Sequence, residues 1–356
     1  MPVNDLRSFP ERALQRSAQG FGPAAFRLSM LPASLAYGAV MRLRRYAYGI
    51  GALRSYDPGV PVVSVGNITV GGTGKTPMVE WVARHLAQTG HCPAILSRGY
   101  GAPPGTPLND EALQLERSIP EVPHYTGPDR VASARNAVSA GADCIVLDDG
   151  FQHLRLRRHV NLVLLDALDP FGGGRVLPAG KLREPCSALR AADAVVLTRV
   201  DAIPTDALTD LRSRVRKITG NAPLIECVHK PMSVAAADGS DVSEPDSLAG
   251  KSVGVFCGIG NPEAFMKTVK QLGARIPTAH VLPDHVQYSK VGVRKIIKAC
   301  TDVDFALTTE KDAVKVGAFW VGAPPLRVLK VWMAFTEGQE RLEGLLSALF
   351  ANPDRI

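Results

Sequence analysis

Residues Ser64–Pro77 read SVGNITVGGTGKTP: a strand running into a glycine-rich loop that ends in Lys-Thr and opens a helix. This order is the layout of a phosphate-binding loop. Val62, Val63 and Val65 suit a strand buried on both faces of a parallel sheet. Gly71, Gly72 and Gly74 let the backbone turn tightly and aim its N–H groups at phosphate oxygens. Lys75 is placed to reach the β- and γ-phosphates, and the Thr76 hydroxyl to ligate Mg²⁺. Met78–Gln88 supplies the helix whose N-terminus favours an anion. One position departs from the pattern: the usual first glycine falls on Thr69. A plain glycine-rich turn would show some of these features, but not all of them in this order. The loop implies a bound nucleoside triphosphate and leaves its use open.

Outward from the loop, residues 60–230 alternate between apolar strands and helical stretches. Strands are predicted at 61–66, 93–97, 143–148, 161–166, 193–198 and 223–228, and helices at 75–89, 109–117, 128–140 and 205–219. Alternation of this kind implies a doubly wound parallel sheet with helices on both faces. Residues 231–250 are polar and turn-rich and read as a linker. From residue 251 the alternation restarts, with a strand and turn over 251–260, strands at 276–282, 305–309 and 326–331 and helices at 262–272, 290–299 and 339–350. The expected architecture is therefore α/β: an N-terminal segment (1–50), a P-loop domain (51–230), a linker (231–250) and a smaller C-terminal α/β domain (251–356).

The bulk composition bounds the partners. The chain has 356 residues, 46% hydrophobic and 21% charged, which is globular and long enough for two domains. Its net charge of +7 favours anionic partners: nucleotides, phosphorylated substrates or acidic headgroups. Aromatics are only 6% and are not interleaved with basic residues, which speaks against nucleic acid. The six cysteines are scattered without a CxxC pair, so reduced thiols are expected, not disulfides or zinc. No secretory leader and no apolar run long enough to span a bilayer are expected. No oligomeric state follows from the sequence.

Further candidate residues lie downstream. In DCIVLDDGFQH (143–153) an apolar strand delivers Asp148 and Asp149 at its C-terminal end, where doubly wound sheets bind ligands. Two adjacent carboxylates repel unless a cation neutralises them, so a metal reading is favoured over a turn cap, with either aspartate as the direct contact. Gln152 is positioned to orient phosphate or substrate, whereas His153 reads as structural. The Pro/Gly-rich DALDPFGGGRVLPAGKLREP (166–185) brings Arg175, Lys181, Arg183 and Glu184 in a flexible loop of the sort that wraps active sites. Asp110 opens a helix and reads either as a cap or as a functional carboxylate. His285, beside Asp284 at a strand end, reads either as structural or as half of a general-base pair with a carboxylate across a domain cleft.

Residues 24–50, AAFRLSMLPASLAYGAVMRLRRYAYGI, are apolar and closed by Arg42, Arg44 and Arg45. They suit an interfacial helix with arginines on acidic phosphates, or alternatively a helix packed on the main domain.

Together these stretches resemble the tetraacyldisaccharide 4′-kinase (lipid A 4′-kinase) family. The likeness is carried by LPASLAYG…RR, VPVVSVGNITVGGTGKTP, SRGYG (97–101), YTGPDR (125–130), DDGFQH (148–153), PAGKLREP (178–185), FCGIGNP (256–262), PDH (283–285) and LTTEKDAVK (307–315). Thr69 fits as well, since that family's loop is itself off-pattern. The resemblance implies transfer of the ATP γ-phosphate to the 4′-hydroxyl of an acylated glucosamine disaccharide 1-phosphate, giving the bis-phosphorylated lipid A precursor. It implies an ATP cradle of Thr69, Val70, Gly71, Gly72, Thr73, Gly74, Lys75 and Thr76, with Mg²⁺ at Thr76. It further implies Asp149 and Gln152 near metal and γ-phosphate, Arg183 and Glu184 near nucleotide and substrate, and Asp110 as the base supported by His285. The family's Gly-Asp-Glu-Pro appears here as Asn109-Asp110-Glu111-Ala112. A lipid substrate implies peripheral attachment at the cytoplasmic face of the inner membrane, through residues 24–50.

Two other P-loop classes compete. A GTP-dependent metallochaperone-type switch needs an Asn-Lys-x-Asp guanine reader, but Thr198-Arg199-Val200-Asp201 follows the relevant strand. A membrane-bound positioning ATPase needs an extra early lysine where Thr69 and Val70 stand. Neither accounts for DDGFQH followed by PAGKLREP.

Overall fold

The computed structural model describes residues 3–5, 14, 20–99, 110–284 and 286–351. In chain order its elements begin with β1 (Val3–Asp5), α1 (Phe21–Ser29), α2 (Leu31–Gly49), β2 (Val62–Asn67), α3 (Lys75–Gln88), β3 (Pro93–Ser97), α4 (Asp110–Ser118), β4 (His124–Thr126) and α5 (Arg130–Ser139). They continue with β5 (Cys144–Asp148), β6 (Val160–Asp166), β7 (Ala194–Thr198), α6 (Thr205–Thr219), β8 (Leu224–Ala236), β9 (Ser252–Cys257) and α7 (Pro262–Gln271). The last are β10 (Arg275–Val281), α8 (Lys290–Ala299), β11 (Phe305–Thr309), α9 (Glu310–Val316), β12 (Leu326–Glu337) and α10 (Gln339–Ala351).

The chain divides into two compact units. The larger comprises Phe9–Tyr100, Leu115–Val228 and Met333–Ile356, and the smaller Met1–Ser8, Gly101–Gln114 and His229–Trp332. In the larger unit the parallel strands run β8-β7-β6-β2-β5-β3-β4. Alternate residues face opposite sides, as a pleated strand requires. Val160, Leu162 and Leu164 of β6 pack with Met78, Val82 and Leu86 of α3, while Val163 and Leu165 pack with Leu211 and Val215 of α6. Helices cover both faces, which explains why β2 is buried at all six positions. The strand order reverses around β2, and that reversal is where such sheets bind ligands. Register brings the ends together: Val65 pairs with Asp148, Asn67 with Leu164 and Asp166 with Thr198. In the smaller unit the parallel strands run β1-β10-β9-β11-β12.

Three features differ from the sequence reading. The stretch expected as a linker is structured: β8 runs on to Ala236, Val234 bridges Ser243, and Pro245–Leu248 forms a 3₁₀ turn. Expected as part of the smaller domain, α10 instead packs in the larger unit, because Leu342, Leu346 and Leu349 join the cluster around Val63 and Val65. The N-terminal apolar segment is not one helix but two, bent by 48°, with Pro32 in the first turn of α2. Among the described residues no single helix is long and apolar enough to cross a membrane.

Candidate active site

The glycine-rich loop is held from several directions. Gly74 takes a left-handed φ of 87° that turns the chain into α3, a conformation glycine adopts without steric cost. Asn67 Nδ2 donates to Thr73 Oγ1 at 3.0 Å, and the Thr198 hydroxyl donates to the Thr73 carbonyl at 3.0 Å. Arg199 donates to the Gly72 carbonyl at 2.6 Å while its guanidinium pairs with Asp166 at 2.5 Å. The start of the loop is tied to a segment far downstream. Val70 N–H donates to the Lys181 carbonyl at 2.8 Å, Arg183 N–H donates to the Ile68 carbonyl at 2.7 Å, and Thr69 bridges Leu182 antiparallel. Thr69 therefore sits at an isolated bridge just past β2, 4% exposed, where a side chain is packed and a glycine would loosen the pairing.

The Pro/Gly-rich segment, expected as a flexible loop, is thus joined to the phosphate loop by backbone hydrogen bonds. Ala179, Leu182 and Glu184 within it are buried. It carries Arg183 to the end of β5, where Nη1 lies 2.8 and 2.6 Å from the Asp149 oxygens. Lys75 Nζ lies 3.7 Å from Asp149 Oδ1. Burial alone would push the Asp149 carboxyl up, but the Lys75 and Arg183 charges hold it below the ordinary carboxylate value. Gln152 donates from Nε2 to the Asn67 carbonyl at 2.9 Å, tying DDGFQH to the end of β2. That approach requires Gly66: a Cβ there would lie 2.7 Å from the Phe151 nitrogen.

The structure brings Lys75, Asp149, Gln152 and Arg183 together. Asp148 ends β5, 4% exposed, one residue from this cluster. Glu184 lies beside Arg183, but its carboxylate is directed to the N-terminal helix, where Arg45 holds it at 2.7 Å. Asp110 is the first residue of α4; its side chain and His285 lie outside the described residues. The neighbouring Asp284 pairs with Lys311 at 2.6 Å. Burial and the nearby Arg130, Arg158, Arg44 and Arg155 push the His153 imidazole down to about 4, so it is neutral at physiological pH.

Arg130 has no role in the sequence reading beyond its place in YTGPDR. Asp129 caps α5 by accepting from Val131 and Ala132 N–H, which makes Arg130 the first helical residue. Its side chain is buried, and Asp149 and Asp148 favour its charged form against a burial that lowers its pKa. Its Nε finds no partner among the described residues. The Asp166–Arg199 clamp was also missed. An Asp at the end of one apolar strand and an Arg after the next is its only sequence signal.

Helix α2 is amphipathic in an inverted sense. Leu35, Val40, Leu43 and Tyr46 are exposed at helical spacing, and Ile50 just past the helix end is exposed too. Three of its polar residues bond to the protein: Ser34 donates to the Val176 carbonyl at 2.6 Å, Tyr37 to the Arg183 carbonyl at 2.9 Å and Arg44 to the Gln152 carbonyl at 2.9 Å. Arg44 and Arg45, expected on lipid phosphates, turn inward instead, because buried carbonyls and Glu184 are their partners. Arg42 is exposed.

A lysine at the mouth of a glycine turn, faced by carboxylates one strand away at a topological switch point, is how P-loop enzymes hold a triphosphate. Fold and site place the chain in that class. More narrowly, the chain belongs to the tetraacyldisaccharide-1-phosphate 4′-kinase family, whose sequence model matches residues 26–350. The tetraacyldisaccharide 4′-kinase of Anaeromyxobacter sp. (strain K) is 38% identical over 345 residues, covering 90% of each chain. That of Syntrophus aciditrophicus is also 38% identical, covering 84% of this chain and 87% of its own. The "apo" form of LpxK from Aquifex aeolicus, crystallised in complex with ATP, superposes with a TM-score of 0.72 at 29% identity, covering 91% of this chain and 99% of its own.

Proposed function

We propose that this chain transfers the γ-phosphate of ATP to the 4′-hydroxyl of a tetraacylated glucosamine disaccharide 1-phosphate lying in a membrane surface. The observation that carries the reading is the Asp149 carboxylate clamped between Lys75 and Arg183 beside the glycine turn. Phosphoryl transfer asks a protein chiefly for position and charge. Residues 69–76 offer the cradle, and Lys75 places its charge on the β- and γ-phosphates. Arg183 and the buried Arg130 balance the charge of the transferring group from the other side. Gln152 orients the phosphate oxygens. Glu184 acts from behind, by fixing the segment that carries Arg183. Asp110 takes the proton from the 4′-hydroxyl as its oxygen bonds to the γ-phosphorus and the bond to the β-phosphate oxygen breaks; His285 supports Asp110.

The Thr76 hydroxyl and the Asp148 carboxylate are hard oxygen donors, while Asp149 is engaged by two cations. That set suits Mg²⁺, which keeps waters and phosphate oxygens for its remaining positions. Mg²⁺ supplies neutralisation of the charge shared by the β- and γ-oxygens.

The inverted amphipathicity of α2 supports peripheral attachment at the cytoplasmic face of the inner membrane. An exposed apolar face of this kind lies in the headgroup region. Leu35→Glu with Leu43→Glu will lower sedimentation with liposomes containing acidic lipid by about tenfold or more. Unchanged sedimentation would reject the attachment. Point substitutions are preferable to deleting residues 1–45, which would also remove Arg44 and Arg45 from their inward contacts.

The direct test of function is incubation with γ-labelled ATP, Mg²⁺ and the disaccharide 1-phosphate lipid. Label is expected in the lipid. Label released only as free phosphate would favour a P-loop switch or positioning ATPase instead.

A further inference from the structure

The inward face of α2 lands on both segments that carry the phosphotransfer residues. Arg45 donates from Nε to Glu184 Oε2 at 2.8 Å and from Nη2 to Oε1 at 2.9 Å. The same guanidinium lies over the Phe151 ring, 4.6 Å from its centroid, with Nη2 3.5 Å from the Phe151 carbonyl oxygen. Arg44 holds the next carbonyl, that of Gln152, and Tyr37 holds that of Arg183. One guanidinium thus joins residues 151 and 184. Two positions before the first and one before the second stand Asp149 and Arg183, the pair that meets at 2.6 Å. The Glu184 side chain is only 3% exposed, so its charge has no recourse to water if Arg45 is lost.

We propose that Arg45 is a positioning residue for phosphoryl transfer: by gripping Glu184 and Phe151 it sets the approach of Arg183 to Asp149, so the helix offered to the lipid is also part of the frame of the active site. This rests on the roles given above to Asp149 and Arg183. A planar fork matches a carboxylate in a way that an ammonium does not. The geometric tolerance for transfer is tight enough that displacement of about 1 Å costs about a hundredfold in rate.

The test measures kcat and both KM values in mixed detergent micelles, liposome sedimentation and the far-UV spectrum for Arg45→Met, Arg45→Lys, Glu184→Gln and Arg45→Met/Glu184→Gln. Arg45→Met is expected to lose about 10- to 100-fold in kcat, with the lipid KM within about twofold and sedimentation as in the parent protein. Arg45→Lys recovers only part of the loss, and the double variant costs no more than the worse single one. A kcat for Arg45→Met within about threefold of the parent, or a loss confined to lipid KM and sedimentation, overturns the proposal. Should Arg45→Met not fold, Arg45→Lys and Arg44→Ala decide: kcat must fall in both. Asp149→Asn is run alongside. Full turnover in that variant rejects the reading of Asp149, whereas its inactivity beside a fully active Arg45→Met rejects only the role of Arg45.

Discussion

Lys75→Ala will lower phosphoryl transfer by about a thousandfold or more, equivalent to about 4 kcal/mol of transition-state stabilisation. The loss will fall on kcat more than on the KM for ATP, because the charge it meets builds as the γ-phosphoryl group detaches. Lys75 is the first residue of α3, directed by the left-handed Gly74 before it, and its ammonium stands 3.7 Å from Asp149. Without it Asp149 faces the incoming triphosphate with Arg183 as its nearer cation, and two anions repel where one was neutralised. Arg will not substitute, since a wide planar fork does not fit a point-charge position inside a glycine turn. Steady-state kinetics on the purified variant, with nucleotide binding measured separately, check this. Turnover within about tenfold of the parent would remove Lys75 from the chemistry.

Asp110→Asn will lower turnover by about a hundred- to ten-thousandfold while nucleotide affinity is retained, as loss of a general base entails. Asparagine keeps the size and the helix-start preference of aspartate, and Asp110 is the first residue of α4, so folding is little affected. Ala112, standing where the family has proline, is buried in that helix. It costs nothing at a helix start, since proline there is favoured but not required. Single-turnover measurement of label transfer separates this effect from product release. Unchanged transfer would displace Asp110 as the base and leave the 4′-hydroxyl proton to another group.

The sheet was legible because buried parallel strands must be continuous apolar runs. Val62–Val65, Cys144–Leu147 and Ala194–Leu197 could be read without tertiary knowledge. β4 was missed because three half-buried residues leave no such run. The destination of α10 was missed because its apolar stripe states that it packs and not on what. The glycine turn before α3 and the aspartate pair at the end of β5 were legible because both depend on local order along the chain. Arg130, Asp166 and Arg199 act through partners distant in sequence, and nothing adjacent marks them. On charge alone Arg44 and Arg45 read as lipid-facing, with a helix packed on the main domain as the alternative. Their direction is set by Glu184 and the carbonyls of residues 151 and 152, which only the folded chain brings within reach.

The antiparallel stitch between residues 68–70 and 181–183 bears on how the protein is made. The glycine-rich motif reads as one short stretch of sequence, yet its first residues are bonded to a segment roughly a hundred residues further along the chain, a non-local closure that forms late. On the ribosome, β2 and α3 emerge long before Lys181, Leu182 and Arg183, and until those arrive the Val70 N–H and Ile68 carbonyl have no partner. Nascent chains that stop short of the PAGKLREP segment therefore contain the whole glycine motif without an assembled triphosphate site. ATP can act as a folding ligand only once synthesis has passed it.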